Sequence, residues 1–251
     1  MPAYLERSDV VALKWVAGYP SNKPKGLPYI SGLVVLNDAE TGLAIAIMDG
    51  AEITAARTAA ASGACVRRFA REGWQSATIL GCGEQGRFHA RLLRELNPAA
   101  RIRAWDPHPE RVEALGADPA ATPAEAVAGT DVVVTAAPLV DRPEPWIDAD
   151  ALGEEWLVLP IDFDALVRPK LVESANLFLV DDVAQFEYYR SLGRFRGWPT
   201  PAGTVGDALG GTDSPRRVVC CNLGVGALDA AFAARVLARA RERGAGAELR
   251  R

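Results

Sequence analysis

The sequence predicts an α/β fold: a doubly wound parallel sheet joined by a smaller α/β lobe that both termini build. Three observations carry this expectation. First, Thr78-Ile79-Leu80-Gly81-Cys82-Gly83-Glu84-Gln85-Gly86 reads as strand, glycine turn and helix start, and Asp106 closes a second strand twenty residues beyond the last glycine. Second, from residue 76 to about residue 181 short continuous apolar runs alternate with helical stretches. That is the pattern of parallel strands covered on both faces. Third, the ends differ from the middle: a hairpin and an alanine-rich helix come before it, and one long helix comes after it.

Taken in order, Tyr29 to Leu36 and Leu43 to Met48 are apolar runs separated by Asn37-Asp38-Ala39-Glu40-Thr41-Gly42, a hairpin with a longer loop. Ile53 to Glu72 reads as a helix ending at Gly73, with Ala56, Ala60, Cys65 and Phe69 available to pack. After the glycine turn, Gln85 to Glu95 forms a helix with Phe88, Leu92, Leu93 and Leu96 on one side, and Asn97-Pro98 ends it. Arg101 to Trp105 is the second strand, and a short helix spans Pro123 to Ala128. Further buried strands run Asp131 to Thr135, Trp156 to Ile161 and Leu177 to Val180. Asp181, Asp182 and Gln185 suit a helix cap. Ser191 to Gly211 is loop, Arg217 to Cys221 a short strand, and Asn222 to Gly226 a glycine-rich stretch opening a helix from Ala227 to Arg243. The expected division is 1–72, 73–214 and 215–251, with the last part returning to the first lobe.

Composition narrows the function. A net charge of −4 argues against nucleic acid as a partner. No apolar run reaches transmembrane length, and the start lacks a signal-peptide pattern, so the expectation is a cytoplasmic protein without a membrane partner. Cys65, Cys82, Cys220 and Cys221 form no CxxC pair, and His89 and His108 complete no zinc pattern, so no metal is expected. The cysteines read as core filler. Two histidines give little support to a Ser-His-Asp triad.

The glycine stretch has a layout suited to a dinucleotide, which makes the parallel sheet Rossmann-type. Gly81 permits a tight turn, Gly83 lets the backbone approach a pyrophosphate, and Gly86 lets the helix pack close to the sheet. Glu84 and Gln85 open the helix whose free N–H groups face the phosphates. A carboxylate at Asp106 can accept both ribose hydroxyls and would repel a ribose phosphate, which favours NAD over NADP. Thr135-Ala136 ends a strand beside the expected nicotinamide. A flavin or sugar nucleotide is a weaker alternative in the same fold.

Lys14-Trp15-Val16…Pro20-Ser21-Asn22, Thr41-Gly42…Ile47-Met48-Asp49-Gly50, Thr54-Ala55-Ala56-Arg57-Thr58-Ala59-Ala60 and Gly81-Cys82-Gly83-Glu84-Gln85…His89 occur in that order. Over nearly the whole chain this resembles the ornithine cyclodeaminase/μ-crystallin family. The resemblance implies a dinucleotide domain, a substrate and dimerisation lobe, a homodimer, and an amino-acid or cyclic imino-acid substrate. It places the substrate-site lysine at Lys14, the arginine that grips the substrate carboxylate at Arg57, and the catalytic aspartate at Asp162. The family often continues that aspartate with Pro-Gly-Lys. Here the sequence is Pro160-Ile161-Asp162-Phe163-Asp164-Ala165, so Asp164 is a rival. Relatives also carry several dozen residues ahead of the lysine segment, and this chain is read as an N-terminally short member.

The chemistry of these residues agrees with the roles. A guanidinium holds a carboxylate by two parallel hydrogen bonds. A lysine with apolar neighbours such as Trp15, Val16 and Tyr19 points toward a site, so Lys14 is expected to bind the carboxylate or, where burial lowers its pKa, to act as acid/base on the amine; a carboxylate at the C-terminal end of a buried strand, Asp162 or Asp164, can move a proton. The expected activity is NAD(H)-dependent oxidation of an amino acid or reduction of an imine at the α-carbon. A cyclodeaminase that recycles its NAD, or a non-catalytic NAD(H)-binding protein, is the alternative.

Overall fold

The computed structural model describes residues 1–248, the side chains of Pro20 and Lys23 apart. The strands and helices in chain order are β1 (Pro2–Leu5), β2 (Val10–Gly18), β3 (Ile30–Asp38), β4 (Ala44–Asp49), α1 (Gly50–Phe69), β5 (Ser76–Leu80), α2 (Glu84–Leu96), β6 (Arg101–Trp105), α3 (Pro109–Leu115), β7 (Asp118–Pro119) and α4 (Pro123–Val127). They continue with β8 (Val132–Thr135), β9 (Trp156–Pro160), α5 (Pro169–Glu173), β10 (Leu177–Val180), α6 (Val183–Ser191), β11 (Gly203–Thr204), α7 (Val205–Ala208), β12 (Arg217–Cys221) and α8 (Gly226–Glu242). Two compact units result: Met1–Arg57 with Gly224–Arg251, and Thr58–Leu223. The sequence had placed the changes at 72/73 and 214/215. The first change falls earlier because Cys65, Val66 and Phe69, in the second half of α1, are packed in the core of the second unit.

The first unit is an antiparallel sheet, β1-β2-β3-β4, with α8 on one face. Alternation decides which side chains meet the helix. Along β2, Ala12 and Lys14 point to the covered face, whereas Leu13 and Trp15 point away, Trp15 being 75% exposed. Ala12, Val34, Leu36 and Ile53 pack with Ala230 and Ala233 of α8. Neither β1 nor β2 was expected from the sequence. The hairpin of β3 and β4 was, and Asp38 closes its loop by accepting from the N–H of Thr41 at 2.8 Å. The helix after it begins at Gly50 rather than Ile53 and ends at Phe69 rather than Glu72. Asp49 explains the early start: its Oδ1 accepts from the N–H groups of Ala51 and Glu52, a helix-start cap.

The second unit is an eight-stranded, all-parallel sheet in the order β11-β10-β12-β9-β8-β5-β6-β7. Strand order reverses at β5/β8, because β6 and β7 lie on one side of β5 and β8 and β9 on the other. Ligands bind at such a switch point, outside the carboxyl ends of the strands. Val132 to Thr135 and Trp156 to Pro160 are buried throughout, as strands covered on both faces must be. The strands expected at Arg101–Trp105, Leu177–Val180 and Arg217–Cys221 are present with those bounds. On α2 the buried face is Gly86, His89, Ala90 and Leu93, while Phe88, Leu92 and Leu96 are only partly covered. A polar histidine thus occupies a place that an apolar pattern cannot flag. Asp182 caps α6 through the N–H of Gln185, and all four cysteines are buried and free.

Candidate active site

In the second unit, the glycine turn sits at the end of β5, with Leu80 paired to Thr135 of β8. Gly81 has φ +94°, and a Cβ there would lie 2.4 Å from the carbonyl oxygen of Ala136. At Gly86 a Cβ would lie 2.3 Å from the carbonyl oxygen of Gly81. Packing therefore requires both glycines. Gly83 differs: a Cβ there would meet nothing within 4 Å. Gly83 is also the N-cap of α2, and no side chain caps that helix. Open space at a helix start whose N-cap has no side chain fits a pyrophosphate. Gln85 is half-buried in the first turn, and the exposed Glu84 pairs with Arg87 at 2.5 Å.

Asp106, at the end of β6, is buried and pins this turn. Its Oδ2 accepts from the N–H of Cys82 at 2.8 Å, and its Oδ1 from the N–H of His108 at 2.9 Å. Arg111 lies 3.7 Å away. Burial, with the Asp106 charge beside it, pushes the Cys82 thiol up to about 12, so this cysteine is a filler.

Thr135 pairs with Pro160 of β9, which brings Asp162 beside the end of β8. Asp162 is 2% exposed. The Thr135 hydroxyl donates to its Oδ1, and the N–H of Ala137 donates to Oδ2 at 3.0 Å. Burial raises its pKa to about 7, against the pull of those two donors. Asp164 is committed elsewhere: its Oδ2 accepts from the N–H of Phe195 at 2.7 Å, and Arg194 lies 3.6 Å from Oδ1. Two residues apart in sequence, these carboxylates have different surroundings.

His89, also in this unit, is fully buried. Its Nδ1 lies 2.8 Å from the Gln85 carbonyl and its Nε2 2.9 Å from the Ser62 hydroxyl. A carbonyl only accepts, so Nδ1 carries the proton and Nε2 accepts from Ser62. Burial lowers its pKa to about 4.

In the first unit, Lys14 and Arg57 come together around a residue the sequence reading missed, Asp229 of α8. Lys14 Nζ donates to Asp229 Oδ1 at 2.8 Å and to the Thr54 hydroxyl at 3.2 Å. That hydroxyl donates in turn to the Gly50 carbonyl. Arg57 Nε lies 3.1 Å from the same Asp229 oxygen, an ion-pair contact without hydrogen-bond alignment. Gly224 has φ +97°, and a Cβ there would lie 2.7 Å from the Arg57 guanidinium. This glycine serves the arginine's close approach. The sequence held one sign of Asp229: an acid on the same helix face as Ala230 and Ala233, both buried. Trp15 and Tyr19 are exposed, so the apolar-neighbour argument for Lys14 does not hold. Strand neighbours point to opposite faces, and Lys14 is buried through Ala12 and the helix above them.

Residues 1–161 match the model of the ornithine cyclodeaminase/mu-crystallin family. The chain belongs to that family. Nodulation efficiency protein NfeD of Rhizobium meliloti is 33% identical over 98% of this chain and 81% of its own length. The structure of an archaeal alanine dehydrogenase dimer with bound NAD matches with a TM-score of 0.84 at 26% identity, over 100% of this chain and 83% of the other. Thermococcus litoralis Δ1-pyrroline-2-carboxylate reductase, in complex with NADH and L-proline, matches with a TM-score of 0.84 at 25% identity, over 99% and 84%.

Proposed function

We propose that this family member is an NAD(H)-dependent oxidoreductase of a small amino or cyclic imino acid, acting at the α-carbon. The observation that carries the reading is the buried pair of cations, Lys14 and Arg57, around one carboxylate. Two positive charges and one negative leave a desolvated net positive charge, which calls for an anion. A substrate carboxylate supplies it. Gly81, Gly83, Glu84, Gln85, Gly86, Asp106, Thr135 and Ala136 are the proposed cofactor-binding set, and the acid at Asp106 favours NAD over NADP.

A bound nicotinamide supplies the acceptance or return of hydride at the substrate α-carbon. Arg57 grips the carboxylate and so fixes the orientation of that carbon, with Lys14 adding charge beside it. Asp162 takes the proton released as an amine becomes an imine, and returns it in the reverse direction. Its pKa of about 7 suits both tasks near neutral pH. Thr135 and Ala137 hold its two oxygens. Asp164 supports the Arg194–Phe195 turn instead of exchanging protons.

The active assembly is a homodimer in this reading. Leu13, Trp15, Leu33 and Ile47 are exposed on the uncovered sheet face of the first unit, where Leu13, Val35 and Ile47 pair in one row. A second copy of the chain covers them, as the alanine dehydrogenase dimer favours. Light scattering should give twice the chain mass, and Trp15→Glu should give the monomer.

The activity test mixes NAD or NADP with alanine, proline, ornithine, lysine and glutamate, following both NADH absorbance and product mass. NADH formed with a keto or imino product supports the reading. A product lighter by ammonia without net NADH indicates a cyclodeaminase. NADH binding without turnover of any of these, or of their cyclic imines, supports a non-catalytic binder.

A further inference from the structure

Every buried charge among the described residues of the first unit belongs to one cluster, and its acid is the member to which the proposed reaction assigns no task. Asp229 is 1% exposed, and its Oδ1 takes both Lys14 Nζ and Arg57 Nε. Its other oxygen, Oδ2, is buried with no hydrogen-bond partner among the described residues. An unmet buried acceptor is costly, so the free oxygen has to be offset by what the other oxygen holds. Sharing one oxygen draws the ammonium and the guanidinium side by side.

We propose that Asp229 is a positioning residue: it holds Lys14 and Arg57 on a single oxygen so that together they present one net positive charge to one substrate carboxylate. The inference rests on the proposed function for its substrate, and on the ion-pair geometry for everything else. Around Lys14 the charged groups are Asp229 from α8, Arg57 from α1 beside the neutral Thr54, and the Met1 α-ammonium, which donates to the Lys14 carbonyl at 2.8 Å. Burial, and after it the Arg57 charge, lowers the Lys14 pKa, and Asp229 opposes both. Without Asp229, two neighbouring cations would lie buried with no counter-charge among the described residues. The lysine, unlike the arginine, can lose its proton.

The test is Asp229→Asn in the full chain, labelled with 13C at lysine Cε. The sequence has only Lys14, Lys23, Lys25 and Lys170, and Lys14→Arg assigns the resonance. The expected result is a Lys14 titration midpoint lowered by about one pH unit or more, with Asp229→Glu restoring it. A midpoint that stays in place in Asp229→Asn overturns the proposal. In turnover the expected loss in kcat/KM is about 10- to 100-fold, carried mainly by KM, with NADH affinity unchanged. If the midpoint moves but the wild type turns over no amino or imino acid, the proposed function fails and the hold on Lys14 stands. If turnover is found and the midpoint does not move, the role of Asp229 fails alone. Should Asp229→Asn not fold, Asp229→Glu carries the test: a near-native midpoint with reduced kcat/KM is expected, and a midpoint displaced despite the retained charge overturns the idea.

Discussion

In the unit of Met1–Arg57 and Gly224–Arg251, Lys14, Arg57 and Asp229 lie buried as an ion-paired cluster. In the unit of Thr58–Leu223, Asp162 and His89 lie as deep beside hydroxyl, carbonyl and N–H groups, and burial pushes each toward its neutral form. The difference comes from the partners. An opposite charge within about 4 Å opposes the desolvation, as Asp229 does for Lys14, whereas hydroxyls, carbonyls and N–H groups offset only part of its cost. A fixed charge suits holding a substrate carboxylate. A group balanced between two protonation states suits moving a proton.

The sharpest way to break this contrast is Asp162→Asn. Turnover is expected to fall by roughly 10²- to 10⁴-fold, while stability at pH 8 rises by roughly 2–4 kcal/mol. The sign follows from the raised folded pKa: proton uptake favours the folded state, and stability is lost as pH climbs from the unfolded value of 3.8 through about 7. The asparagine removes that loss. Urea unfolding at pH 8 beside initial rates checks both halves, and a less stable variant would contradict the assignment.

His89 should show the opposite pH dependence. Its folded pKa of about 4 lies below the usual 6.5, so stability is lost as pH falls across that interval, by about 3 kcal/mol in all. His89→Gln is expected to remove this acid sensitivity, read as the difference in unfolding free energy between pH 7 and pH 4.

The two glycines separate folding from binding. Gly81→Ala should cost about 2–3 kcal/mol, because the positive φ and the Ala136 carbonyl both oppose a Cβ. Gly83→Ala should melt within a degree or two of wild type and weaken NADH binding about tenfold. Equal losses of stability would remove the argument for an open pyrophosphate site. The smallest expected effect is Arg57→Lys: the charge is kept and the planar fork lost, so KM should rise about tenfold with little change in kcat.

Much of the second unit was legible in the sequence. Buried parallel strands are continuous apolar runs, and β6, β10 and β12 have the bounds those runs predict. The glycine turn was legible because backbone sterics, not distant partners, choose glycine there. Local terms decide such features, so a local reading finds them. The first unit was harder. β2 places Lys14 and Trp15 on opposite faces, which an apolar neighbourhood cannot distinguish from one shared face. His89 lay hidden for a related reason: its burial depends on Ser62, twenty-seven residues away, whose hydroxyl donates to its Nε2.

The sequence by itself determined the α/β class, the parallel strands, the glycine turn and the identities of Lys14, Arg57, Asp162 and Asp164 as candidates. Only the tertiary structure gave Asp162 and Asp164 different surroundings, because their hydrogen-bond partners lie at Thr135 and Ala137 for the one and at Phe195 for the other. It alone brought Asp229 to Lys14 across 215 residues of chain. Electrostatic interactions depend on distance in space, and a linear pattern holds no record of that distance until the sheet and its covering helix have formed.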